Sequence, residues 1–195
     1  MIQWYVIRAT GVVALILFSA SVALGLLDRS RFATDRWPRF VIDRLHRNVS
    51  LLSVVLLVIH IVTSATDSFV AIDFVNALIP FTHSYSTVWI GIGAVASDLL
   101  IALIITSLLR ARLGVTAWRM VHWLAYLAWP LAVLHSIGSG TDSGEPWMIA
   151  IVVVCVAAVL VALGVRLSGS APRLGPPDPF GSSERAAADQ LEEVW

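Results

Sequence analysis

The stretch HWLAYLAWPLAVLH, residues 122–135, carries a histidine at each end of a run too apolar to lie in water. A second stretch, HRNVSLLSVVLLVIH at 46–60, has nearly the same form. Ionisable residues inside a membrane are rare, costly and usually functional. These two segments therefore set the kind of bundle the chain builds.

The setting is a membrane. Of the 195 residues, 58% are hydrophobic and 13% charged, and the mean hydropathy is +0.84, whereas soluble domains carry about 25% charged residues. Crossing the hydrocarbon core takes about 20 apolar residues. Five runs qualify, at 4–27, 40–63, 87–109, 118–137 and 147–166. The fold class predicted is all-α: an integral membrane bundle of about five transmembrane helices, over residues 1–167. The first run has no basic leader and exceeds the length of a signal-peptide core, so it reads as a retained helix, with cleavage near Ala20 as the alternative. Residues 168–195, rich in Pro, Gly, Ser and acids, read as a flexible cytoplasmic tail.

Arginine supplies every basic side chain and gathers on one face. Arg29, Arg31, Arg36 and Arg39 fill the first loop, Arg110, Arg112 and Arg119 the third, and Arg166 and Arg173 follow the last run. The second and fourth loops hold no arginine. The positive-inside rule then places the N-terminus outside and the C-terminus in the cytoplasm of a plasma (inner) membrane. No basic stripe suited to nucleic acid occurs, and the lone Cys155 reads as a small apolar packing residue.

Both paired segments run in the same direction, with histidine spacings of 14 and 13. At 1.5 Å per residue the members of each pair lie about 20 Å apart along their helices. This makes two levels, His46 with His122 and His60 with His135. Haem iron takes axial imidazoles, and facing helices supply them in this way. A zinc site would need more ligands than two per level. A hydrogen bond to a neighbouring helix remains the plain reading of any single intramembrane histidine. One angle is awkward: a spacing of 14 returns within about 40° of the same helix face, but 13 leaves His135 about 140° from His122. Pro130 is the expected source of a kink that redirects it.

Together with IPFTHSYSTVWIGIGAVASDLLIALIITSLLR and RLGVTAWRMVHWLAYLAWPLAVLHSIGSGTDS, the paired segments resemble the ferric reductase-like transmembrane domain. That domain is shared by ferric reductases, NADPH oxidases and the haem subunit of a bacterial methionine sulfoxide reductase system. The resemblance covers residues 40 to 143. It implies two bis-histidine haems b, with His46 and His122 as the inner ligands and His60 and His135 as the outer ones, carrying electrons across the membrane. The flavin and nicotinamide domain of ferric reductases and NADPH oxidases is not in this sequence. The resemblance therefore implies an oxidoreductase component working with membrane lipid and a separate electron-donor or electron-acceptor protein, with quinone or a partner-held flavin as the further cofactor.

Arg44, Arg47 and Arg119 flank the inner histidines and suit haem propionates, while also satisfying the positive-inside rule. Trp123, Tyr126 and Trp129 read as packing or interfacial aromatics that are also placed to line a haem. Gly91, Gly93, Ala94 and Ala96 predict a close helix approach. Asp98, mid-span, must be paired or protonated, and His83 in the second loop reads as an exposed histidine near the outer level. Three functions compete: a transmembrane electron conduit, a di-haem anchor subunit exchanging electrons with quinone, and a cofactor-free transporter or scaffold. The topology is open to test. A reporter active only outside the cytoplasm is expected to work when fused after Thr66 or Gly140, and to be silent after Arg112 or Ser168.

Overall fold

The computed structural model describes residues 2–29, 39–67, 75, 78–82, 86–140 and 142–168. His83 and the expected tail beyond Ser168 lie outside the described residues. Among the described residues six helices carry the fold: α1 (Ile2–Arg29), α2 (Arg39–Ala65), α3 (Thr87–Leu108), α4 (Arg110–His122), α5 (Ala125–Ser139) and α6 (Pro146–Leu167). No strand occurs among the described residues. By length and composition α1, α2, α3 and α6 each cross a membrane, and α4 with α5 makes one further span bent by 45°. The chain is a multi-pass membrane protein.

Because lipid tails are as apolar as leucine, close packing and polar contacts hold such helices together. α1 is the centre of that packing, lying against α2, α6 and α5, while α3 lies against α5 and α4. Val22 and Leu26 of α1 meet Val159 and Ala162 of α6, and Phe18, Tyr126 and Trp129 pack around them. The buried polar residues Ser19, Ser21, Ser53 and Ser97 are all small. Trp129 Nε1 donates to Ser19 Oγ at 2.9 Å, and Ser53 Oγ donates to the Ala14 carbonyl at 3.3 Å. Trp129 is therefore a packing residue that ties α5 to α1. Cys155 is buried in α6, as its apolar surroundings predict.

α2 is the outlying helix. Only 6% of its apolar window is buried, because among the described helices α1 is its one close neighbour. Its other faces look to lipid or across a slot towards α5, and that slot positions the site.

The bent span departs from expectation. α5 runs unbroken through Pro130, and the bend falls earlier, at Trp123–Leu124. There the backbone takes i→i−3 bonds: Trp123 N–H to Met120 O, Leu124 to Val121, Tyr126 to Trp123 and Leu127 to Leu124. Such a 3₁₀ stretch turns about 120° per residue, against about 100° in an α-helix. Four steps recover about 80° of the 140° mismatch, so His135 comes to within about 60° of the His122 face. Overwinding, with the bend, does what a kink at Pro130 was expected to do. The proline still bears on it, since it cannot donate to Tyr126 O and its ring crowds that carbonyl.

Gly114 breaks α4 with φ 78° and ψ 160°, and open space surrounds the position a Cβ would take. This backbone region is essentially reserved for glycine. Gly114→Ala and Gly114→Asn are both expected to destabilise the bundle by about 1–3 kcal/mol. Asparagine gives no rescue because the conformation is not the left-handed helical one. Thermal unfolding in detergent measures both.

Candidate functional site

Across the slot, the imidazoles of His46 and His122 face each other with ring centroids 6.4 Å apart and planes at 78°. One level away, His60 and His135 repeat the arrangement at 6.5 Å and 75°. The two pairs that spacing predicts are thus brought together, with nearly equal geometry.

The way three of these rings are held is shared. His46 Nδ1 lies 2.9 Å from the Ser21 carbonyl, His60 Nδ1 lies 2.9 Å from the Ile7 carbonyl, and His135 Nδ1 lies 2.8 Å from the Trp89 carbonyl. A carbonyl only accepts, so Nδ1 carries the proton and donates, and Nε2 keeps its lone pair. Each carbonyl sits in a helix and already receives the N–H four residues on. In all three cases that residue is glycine: Gly25, Gly11 and Gly93. A Cβ on Gly11 would lie 2.9 Å from His60 Cε1, one on Gly25 would lie 3.3 Å from His46 Cε1, and one on Gly93 would overlap the His135 ring. The missing side chain lets the imidazole reach a carbonyl that a side chain would screen.

Serines complete these seats. Ser50 Oγ donates to the His46 carbonyl at 2.7 Å and receives the Ser21 hydroxyl at 2.5 Å. Ser139 Oγ is 3.4 Å from His135 Nε2, but its proton goes to the His135 carbonyl at 2.6 Å. His122 is held differently, stacked on Trp118 with centroids 4.9 Å apart and planes at 28°.

A cavity of about 370 Å³ opens at the His60–His135 level, walled by Gly11, Leu15, Phe18, Leu57, Gly93, Leu100 and Ala132. Its far end is polar and includes Arg8 and Asp142. These two form an ion pair, and the Arg8 guanidinium also lies 4.1 Å from the Trp4 ring centroid. Arg8 Nη1 is buried and has no hydrogen-bond partner among the described residues. The sequence reading passed over Arg8, although a charge inside an apolar run was the signal. Gly11 and Gly25 were also passed over, although they share the 14-residue spacing of His46 and His60.

The other candidates lie elsewhere. Arg44, Arg47 and Arg119 are exposed at the His46–His122 end. Trp123 is also exposed there, with Arg166 over its ring at 5.6 Å, and Arg166 Nη1 donates to Tyr126 OH at 3.3 Å. Asp98 lies off the cavity wall, partly exposed in mid-helix. Gly91 seats the Phe81 ring and Gly138 the Trp89 ring, so the close approach expected at the α3 glycines is to side-chain rings. Among the described residues no cluster of three or more potential metal-ligating side chains occurs.

Fold and site together define a multi-pass helical membrane protein that sets two facing histidine pairs at two depths. Residues 10–133 match the family described as ferric reductase like transmembrane component, and the chain belongs to that family. No curated protein and no solved structure matches it. The family is one of transmembrane electron-transfer domains that generally bind haem. The matched span takes in α1 from Thr10 onward, with Gly11 and Gly25, and ends two residues short of His135.

The residues fit a haem. Imidazole nitrogens bound about 2 Å from one metal ion on opposite sides put their ring centroids about 6 Å apart, as both pairs have them. The apolar cavity and the carbonyl-held Nδ1–H groups suit the same ligation. The glycine seats are testable on their own. Gly11→Ala and Gly93→Ala are expected to break the Ile7 and Trp89 bonds and cost about 1–3 kcal/mol each. Gly25→Ala, with more room, is expected to cost less. Unfolding of the detergent-solubilised variants ranks them.

Proposed function

We propose that this chain is the haem-bearing electron conduit of a transmembrane oxidoreductase. It would hold one haem b between His46 and His122 and a second between His60 and His135. The observation that carries the reading is the repeated seat: Nδ1–H tied to a helix carbonyl over a glycine, which leaves Nε2 as the nitrogen that keeps its lone pair. That hydrogen bond fixes the tautomer and ring orientation and makes the ligating nitrogen more basic. A haem bound at each level supplies reversible one-electron iron chemistry.

The chain's own residues do the rest. The apolar part of the wall around His60 and His135 would limit the access of water to a haem there. Arg8 would bind a propionate at that end, and Arg44, Arg47 and Arg119 would do so at the other. With the arginine-bearing end in the cytoplasm of the plasma (inner) membrane, His46 and His122 would hold the haem that faces a cytoplasmic flavoprotein or quinol donor, and His60 and His135 the haem that faces an acceptor outside.

A reduced-minus-oxidised visible spectrum with a pyridine haemochrome count tests this. Two b haems per chain are expected. His60→Ala or His135→Ala should each remove one haem and leave the other. Full occupancy of both levels in either variant would sink the pairing, and haem-free protein made with ample haem supply would sink the function.

A further inference from the structure

Trp118 lies on α4 one turn before His122, at the arginine-bearing end, and three contacts fix it. Its ring stacks on the His122 imidazole, 4.9 Å between centroids and 28° between planes. Its Nε1–H donates to Ser107 Oγ of α3 at 3.2 Å. The Arg110 guanidinium lies over the same ring, 4.2 Å from its centroid. An indole that merely anchors a helix at the interface keeps its N–H towards water and headgroups. This N–H is committed to another helix, and the ring is pinned against the imidazole.

The surroundings are open. Ser107, Leu108, Arg110, Ala111, Gly114 and Val115 line a surface concavity of about 480 Å³. Arg110, itself exposed, is therefore shared between the concavity and the indole. A continuous run of π contacts joins this surface to His122.

We infer that Trp118 is the bridge by which electrons pass from a donor seated at this concavity to the His46–His122 level. The inference rests on the proposed haem function. One electron leaves the donor and one is gained at the His46–His122 level. Any proton the donor sheds goes to water, and no bond to the protein forms. The indole couples the two without being oxidised. Trp118 thus acts through His122 and is a positioning residue, and Arg110 favours a donor that presents an anionic group to the concavity.

The test uses purified holoprotein and reduced flavin mononucleotide as the donor probe. Haem content and midpoint potentials are measured beside the stopped-flow rate of haem reduction, for wild type, Trp118→Leu, Trp118→Phe and Ser107→Ala. Trp118→Leu is expected to slow reduction by about tenfold in the chains that hold both haems, with the His60–His135 haem and its potential unchanged. Trp118→Phe should retain most of the rate, because the stack survives. Ser107→Ala, which unpins the indole, should fall between the two. A Trp118→Leu protein with full haem content and the wild-type rate would overturn the inference. So would loss of the His46–His122 haem in all three variants, since Trp118 would then be a ligand support only. Haem-free wild type would instead overturn the parent function, a result distinct from either.

Discussion

One helix carbonyl serving two donors is the interaction on which the arrangement depends. In α1 and α3 the carbonyls of Ile7, Ser21 and Trp89 close a helical turn and also hold a histidine from a facing helix. A carbonyl has two lone pairs, so the second bond costs the helix little. Access is the obstacle, and glycine four residues on removes it. The result is an imidazole whose orientation is set by backbone. Backbone within a transmembrane helix is held firmly, because lipid offers its polar groups no alternative partner.

From this constraint the division of labour among helices follows. α1 provides two of the seats, 14 residues apart, and cannot rotate or slide without losing both. α2 need only present two histidines at the matching interval, which explains how it stays loosely packed yet well aimed. The span made of α4 and α5 has the harder task, because its histidines are 13 apart. It meets the requirement by overwinding a few residues after His122.

Much of this was legible in the residues. Apolar run length placed four of the spans to within a few positions, because crossing a bilayer imposes a length that little else imitates, while the bent span begins at Arg110, eight residues before the apolar run at 118–137. The four histidines were legible because imidazoles in hydrocarbon stand out against their neighbours. The seats were harder to see: a glycine in a transmembrane helix has many uses, and only the echo of the 14-residue interval between Gly11 and Gly25 marked them. The position of the bend was not legible. Whether a backbone N–H bonds three or four residues back is settled by what the side chains of that turn pack against, and Pro130 drew attention to the wrong turn. Arg8 could have been noticed as a charge within an apolar stretch, but its partner Asp142 is remote in sequence and only the fold brings them together.

The closeness of α1 and α2 in the chain has a consequence for assembly. Seats and histidines for half of each level lie within the first 65 residues, on one antiparallel hairpin that needs nothing from α3 to α6 to form its internal bonds. A ribosome feeding the membrane delivers that hairpin first, and domains made early fold early. His46 and His60 can thus be aimed before His122 and His135 have been synthesised, so the later helices close onto a template that already stands.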